Sequence, residues 1–316
     1  MRKILVTGGA GFIGSCLVER LVQDPENYVV AFDNLSTGAV NKLPQVRGKN
    51  WQFVKGDCNV YNDISQVMLS HNFDFVFHYA ACVGVQRTQE NPCKVLMDLE
   101  GFRNVLDLSK SSNVQRVFFA SSSEVYGEPV TIPQNEVTTP LNSRVPYAVV
   151  KNVGEAFLRS YYKEYGLEYT IFRFFNTYGP KQSKDFVISR FIALAMKNEP
   201  ITIYGDGSQT RTFCYIDDNI DACTKAAYDN MFVNDVVNIG NNNETTILDL
   251  AKIIIEHTGS KSELRYLPPL KEGDMKRRMP DITRMKSLVE RPLVTLEEGI
   301  DAILSSDLWK QDCCQY

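Results

Sequence analysis

Three glycines spaced three apart, Gly8, Gly11 and Gly14, lie between an apolar run, Ile4 to Val6, and helix-like sequence from Phe12 to Val22. A second apolar run, Tyr28 to Phe32, follows and is closed by Asp33 and Asn34. Residues without side chains are needed where backbone N–H groups must approach a bound pyrophosphate closely, at a helix start whose dipole favours negative charge. The spacing is GxxGxxG rather than GxGxxG. Asp33 stands nineteen residues past Gly14, where a carboxylate can accept both hydroxyls of an adenosine ribose and repel a 2′-phosphate. Strand, glycine turn, helix, strand and terminal acid in this register predict a dinucleotide site that prefers NAD to NADP. Gly8, Gly11, Phe12, Ile13, Gly14, Asp33 and Asn34 are its expected residues.

Bulk properties narrow the remaining classes. A chain of 316 residues can bury a large core and build two modest domains. The formal net charge is −4 and Lys276-Arg277-Arg278 is the sole basic cluster. Nucleic-acid binding is therefore not expected, because neutralising phosphates requires a basic face. No apolar stretch reaches the length of a membrane span, and the first run is too short for a secretory leader. A cytoplasmic protein with no membrane partner is expected. The eight cysteines show no CxxC pair and read as reduced thiols, Cys313-Cys314 as a feature of the tail. His71, His78 and His257 lack metal-ligand spacing, so no metal is expected.

Apolar runs alternate with amphipathic segments, the pattern of a parallel sheet with helices on both faces. Further strands are predicted at Trp51 to Val54, Phe73 to Phe77, Gln115 to Ala120, Tyr169 to Phe174 and Val236 to Ile239. Helices are predicted at Asp63 to Leu69, Pro92 to Lys110, Pro146 to Tyr165 and Asp217 to Tyr228. From about Asn176 the pieces shorten: a helix at Phe186 to Lys197, strands at Ile201 to Tyr204, Arg211 to Tyr215 and Leu264 to Leu267, and a helix from Thr246. The expected fold is α/β, a Rossmann-type doubly wound parallel sheet with a smaller, interleaved C-terminal substrate-binding lobe. Residues 1–175, with 216–242 returning, form the NAD-binding domain, and 176–215 with 243–316 form the lobe, which is expected to close over the C-terminal sheet edge.

Tyr147 and Lys151 lie four apart on the predicted helix from Pro146, which puts them on one face. A phenol is a poor base at neutral pH, and an adjacent ammonium is expected to lower its pKa. Tyr147 could then accept a hydroxyl proton while hydride leaves the same carbon. Ser122, at the end of the strand Gln115 to Ala120, can orient the reacting oxygen.

Read together, these motifs resemble the extended short-chain dehydrogenase/reductase family, in its nucleotide-sugar epimerase, dehydratase and decarboxylase group. The resemblance spans essentially the whole chain: Thr7 to Gly14, Asp33-Asn34, Gly56-Asp57, His78-Tyr-Ala80-Ala81, Ser122-Ser-Glu-Val-Tyr-Gly, Tyr147-x-x-x-Lys151, Arg173-Phe-Phe-Asn176-x-Tyr-Gly-Pro180 and Tyr204 to Arg211. It implies that Asp57 contacts the adenine, with Cys58 beside it in the cofactor set, that Ala80 and Ala81 line the cofactor, and that Lys151 also holds the nicotinamide ribose. It implies too that Asn176, Tyr204, Arg211 and Arg278 grip a nucleotide diphosphate, the arginines through planar forks that match phosphate oxygens. A homodimer built on the helices from Pro92 and Pro146 is implied in the same way. One departure stands out: Asp98-Leu-Glu-Gly101 occupies the place where the family usually carries Asn-x-x-Gly.

The implied first step is oxidation of the sugar C4 hydroxyl, with Tyr147 as base, Ser122 as orienter and NAD+ as hydride acceptor. Return of hydride to the other face gives a 4-epimer, and release leaves a 4-keto sugar; these are the favoured outcomes. Loss of CO2 from a UDP-uronate is the alternative, supported by Ser122-Ser123-Glu124 and Arg278-Met279-Pro280. Gly273-Asp274-Met275 resembles an epimerase element, and the segment from Val83 to Pro92 does not resemble a decarboxylase loop. Arg87 and Ser123 are expected at the substrate, and Glu124 as an acid–base residue or a polar neighbour of the sugar. A 4,6-dehydratase, which usually carries Thr-Asp-Glu, is disfavoured, because Ser123 replaces the acid that elimination needs. A non-catalytic nucleotide-sugar or NAD-binding protein is the remaining reading.

Overall fold

Runs of Val, Ile and Phe that alternate between two buried faces become the central sheet. The computed structural model describes residues 1–45, 48–84, 88, 90–269 and 277–309. Numbering elements along the chain, the sheet contains β1 (Arg2–Thr7), β2 (Asn27–Asp33), β3 (Trp51–Lys55), β4 (Phe75–His78), β5 (Arg116–Ser122), β6 (Glu168–Phe174) and β11 (Asp235–Ile239). Their order is β11-β6-β5-β4-β1-β2-β3, and the pairings from β6 through β3 are parallel. The order reverses between β1 and β4. A doubly wound sheet binds ligands beyond the carboxyl ends of the strands at such a reversal.

One face of the sheet buries Leu5, Val30, Phe32, Val76, Val117, Phe119 and Ile171 under α2 (Tyr61–His71), α4 (Asp98–Ser111) and α5 (Pro146–Tyr165). The alternate residues of the strands point to the opposite face. There Phe77 stacks on Phe118 at 4.4 Å between ring centroids, and Phe118 on Phe172 at 6.1 Å. The helix α1 (Phe12–Leu21) packs on β1 and β2, and Arg20 joins it to α7 (Ile216–Tyr228) through an ion pair with Asp221.

The chain divides into two units. The first comprises Met1–Gly127, Pro140–Phe174 and Ile220–Val237; the second comprises Glu128–Thr139, Phe175–Asn219 and Asn238–Tyr316. The segment 128–139 was expected in the first domain and groups instead with the second. Gln134 N–H donates to the Met279 carbonyl and Asp281 N–H to the Gln134 carbonyl, both at 2.8 Å, while Asn238 N–H donates to Glu136 Oε1 at 2.8 Å. In the second unit α6 (Val187–Met196) and α10 (Leu296–Ser305) pack on α8 (Ile247–Thr258), and β8 (Ile201–Tyr204) pairs in parallel with β13 (Leu264–Leu267).

Two predicted elements divide. Pro92 to Lys110 forms α3 (Pro92–Leu96) and α4, because Gly101 N–H donates to Asn59 Oδ1 at 3.0 Å instead of continuing the helical ladder. Arg211 to Tyr215 forms β9 (Thr210–Thr212), antiparallel to β12 (Glu244–Thr246), and β10 (Cys214–Tyr215), parallel to β7 (Thr177–Tyr178); the partners lie in different small sheets.

A buried ion pair ties together the elements that carry the candidate chemistry. Glu155 on α5, fully buried, accepts from Arg173 Nε at 2.9 Å, Arg173 Nη2 at 2.7 Å and Ser121 Oγ at 2.7 Å. Arg173 Nη1 donates to the Tyr126 hydroxyl at 2.8 Å. Breaking one side of such a pair strands a buried charge. Glu155→Ala should lower stability by about 3–5 kcal/mol in denaturant titration, and the double variant Glu155→Ala/Arg173→Met should recover a large part of that loss. A loss below about 1 kcal/mol in the single variant would place the pair among weak, solvent-screened ones.

Candidate active site

The turn after β1 is built by close backbone approach. Gly8 has φ +67°, and a Cβ there would meet the Ala80 nitrogen at 2.8 Å. A Cβ on Gly14 would stand 2.1 Å from the Gly8 carbonyl oxygen. Helix α1 then starts at Phe12 with Gly11 as its N-cap, no side-chain cap and no acidic residue in the first turn. The first-turn amides of Phe12 and Ile13 have no intrahelical acceptor. A tight, side-chain-free cradle with outward N–H groups fits a dinucleotide pyrophosphate. At the end of β2, Asp33 accepts from Ala10 N–H at 3.0 Å and Leu35 N–H at 2.7 Å, which fixes its carboxylate beside this turn. Asn34 Nδ2 donates to Asp57 Oδ2 at 2.9 Å and so joins the loops after β2 and β3. Cys58 turns its side chain into the core, and burial raises its thiol pKa; its carbonyl accepts from Asn104.

Thr7 was expected only as part of a motif, yet it ties the two strands at the reversal. Its Oγ1 accepts from Tyr79 N–H at 3.1 Å and Ala80 N–H at 3.2 Å, and lies 2.9 Å from His78 Nδ1. Ala80 is thereby held across from Gly8, and it and Ala81 are both half-buried. Burial, with Lys151 adding to it, lowers the His78 pKa to about 3, so the imidazole is neutral. A threonine ending an otherwise apolar strand was the available signal.

The candidate chemistry sits at the end of β5 and on the first turns of α5. Ser122 Oγ accepts from Glu124 N–H at 3.2 Å and hydrogen-bonds to the Tyr147 phenol, favouring its ionised form. Ser123 is buried in the turn that follows. Lys151 is 2% exposed, donates to the Ala120 carbonyl at 2.7 Å, and holds Nζ 5.8 Å from the Tyr147 ring centroid. The structure thus brings Ser122, Glu124, Tyr147 and Lys151 together. It corrects the expected electrostatics: burial dominates and pushes the Tyr147 phenol well up, with Glu124 and Asp98 adding to the rise. Burial lowers the Lys151 ammonium from 10.5 to about 8, opposed by Asp98. One of the three ammonium N–H groups of Lys151 donates to the Ala120 carbonyl.

In the second unit, Asn176 takes φ +35° and donates Nδ2 to the Thr212 carbonyl at 2.9 Å. Tyr204 ends β8, and Arg211 on β9 donates Nη1 to the Thr210 carbonyl at 2.7 Å. Arg278 is buried at 6% exposure, while its neighbour Arg277 forms a two-pronged pair with Glu244. Arg87, Gly273-Asp274-Met275 and Cys313-Cys314 lie outside the described residues. None of the described helices is long and apolar enough to cross a membrane.

Comparison with known proteins places this geometry. A putative UDP-glucose 4-epimerase of Methanocaldococcus jannaschii is 37% identical over 308 residues, covering 96% of this chain and 97% of the relative. UDP-glucuronic acid decarboxylase 1 of Danio rerio is 35% identical, covering 95% of this chain and 71% of that one. The crystal structure of a UDP-glucuronic acid 4-epimerase from Bacillus cereus, in complex with UDP-glucuronic acid and NAD, superposes with a TM-score of 0.88 at 30% identity, covering 98% of this chain and 99% of that one. With residues 4–240 matching the family model as well, the chain belongs to the NAD dependent epimerase/dehydratase family.

Proposed function

We propose that this enzyme oxidises the C4 hydroxyl of a nucleotide-activated sugar and then either returns hydride to the opposite face, giving the 4-epimer, or releases the 4-keto sugar. The observation that carries the reading is the meeting of Ser122, Tyr147 and Lys151 in the same unit as the glycine cradle that ends at Asp33. When bound, NAD+ supplies a hydride acceptor whose positive ring favours the ionised phenol. Gly8, Gly11, Phe12, Ile13 and Gly14 hold its pyrophosphate, Asp33 the adenosine ribose, and Asp57 the adenine. Tyr147 takes the C4 hydroxyl proton as the C4–H bond gives up its electron pair, so the carbon is oxidised to a ketone and the phenol is re-formed. Ser122, its Oγ fixed by the Glu124 amide, orients the reacting oxygen. For epimerisation the steps reverse after the ketone turns over, and the sugar's mass is unchanged.

Asn176, Tyr204, Arg211 and Arg278 serve the nucleotide diphosphate, and Ser123 and Arg87 the sugar; the arginine forks support this assignment. Decarboxylation of a UDP-uronate is the rival, supported by the sequence Ser122-Ser123-Glu124 and by the buried Arg278, whose fork suits a carboxylate. The protein is proposed to act in the cytoplasm as a homodimer, on the strength of its family resemblance.

Replacing Tyr147 with Phe should reduce turnover by about a hundredfold to ten-thousandfold while leaving NAD affinity within a fewfold; unchanged turnover would remove Tyr147 as the base. Incubation with UDP-glucose and with UDP-glucuronic acid, read by mass spectrometry and NADH fluorescence, should give a 4-epimer of unchanged mass or a product two hydrogens lighter. Loss of CO2 would establish the rival, and loss of water would contradict the reading of the Ser122-Ser123-Glu124 triplet.

A further inference from the structure

Arg277 and Arg278 are neighbours in the sole basic cluster of the chain, yet the fold uses them differently. Arg277 is exposed and gives its planar fork to Glu244: Nε donates to Oε1 at 2.7 Å and Nη2 to Oε2 at 2.5 Å. Glu244 Oε1 also accepts from Thr210 Oγ1 at 2.8 Å. The carboxylate thus takes three donors, and the Arg277 fork holds its carboxyl below the ordinary range, so it is ionised at neutral pH.

The frame that carries Glu244 is set by strand pairing. In the antiparallel ribbon of β9 and β12, Glu244 lies opposite Thr212, Thr245 opposite Arg211 and Thr246 opposite Thr210. Alternation puts Thr210, Thr212 and Glu244 on one face of that ribbon and Arg211 on the other. Glu244 therefore binds Arg277 on the face turned away from Arg211.

Just past Arg278 the chain is held a second time. The Met279 carbonyl accepts from Gln134 N–H and the Gln134 carbonyl from Asp281 N–H, both at 2.8 Å, and Asn238 Nδ2 donates to the same Gln134 carbonyl at 2.9 Å. Pro280, between these contacts, has its φ fixed by its ring. Arg278 is the single residue between the two clamps, and its side chain is buried. A long side chain that must be ordered when a ligand arrives weakens binding, and one ordered beforehand does not.

We propose that Glu244 is a positioning residue for the nucleotide-diphosphate grip: through Arg277 it seats the backbone of residues 277–281, so that Arg278 meets the ligand already in place. The inference rests on the assignment of Arg278 to the diphosphate made above. It divides the basic cluster by role, with Arg277 as anchor and Arg278 as ligand partner. Glu244 acts on binding and not on the reacting atoms, so its loss should appear in KM and not in kcat.

The test compares Glu244→Gln, Arg277→Met and the double variant. A simple charge effect gives opposite signs, because removing a carboxylate favours a bound anion and removing a guanidinium disfavours it. Loss of positioning gives the same sign for both. The Kd for UDP, measured by isothermal titration calorimetry, should rise about three- to tenfold in each single variant. The double variant should bind no more weakly than either, since all three remove one contact. KM for UDP-glucose should rise in parallel while kcat changes by less than about twofold. Hydrogen–deuterium exchange read by mass spectrometry should be faster at the Gln134 and Asp281 amides in all three variants than in the unaltered protein. Affinities that move in opposite directions, or losses that add, overturn the proposal, and so does exchange that does not change. Arg278→Gln keeps the two readings apart: if it leaves UDP affinity unchanged, the assignment of Arg278 to the diphosphate fails, and the exchange rates still decide whether Glu244 seats the segment.

Discussion

The two-pronged contact between Glu155 and Arg173 is the constraint on which the candidate site depends. It joins the helix that carries Tyr147 and Lys151 to β6, and through Ser121 and Tyr126 it also fixes the end of β5 and the turn that follows. Ser122 is the residue after Ser121, so its position is inherited from this contact. Two charges inside a core are no source of large net stability, because desolvation consumes much of their attraction. What they supply is uniqueness: an Arg fork and a carboxylate satisfy each other in few geometries.

The cofactor side is held by a different device. There the backbone itself is the proposed ligand surface, and the side chains that matter are the ones that bring two strand ends together. Thr7 does this with one oxygen that accepts two amides, and the neutral His78 beside it avoids adding a second buried charge near Lys151. Polar satisfaction inside the core thus fixes where the turn lies, and the absence of side chains at Gly8 and Gly14 fixes how close it can come.

Much of this was legible in the sequence where one local rule dominates. Pro146 to Tyr165, Ile201 to Tyr204 and Leu264 to Leu267 form as their hydrophobic period and proline placement indicate. Elements governed by distant partners were not legible. The division at Met97 depends on Asn59, some forty residues away, capturing the Gly101 amide, and the division of Arg211 to Tyr215 depends on strands with different partners. The proximity of Tyr147 and Lys151 followed from spacing alone. Their electrostatics did not, because burial is a property of the folded surroundings and sets the direction of both shifts. Glu155 gave no signal beyond being a charge on a helix, and its role appears only once β6 places Arg173 beside it.

The start of α1 has a consequence for handling the protein. A helix opening with neither a capping side chain nor an acidic residue leaves its amide dipoles available to any compact tetrahedral anion. If the glycine turn holds the dinucleotide as proposed, sulfate- or phosphate-rich solutions compete with it there, so apparent cofactor affinity becomes a function of buffer composition, and low-anion buffers are the proper setting for measuring it.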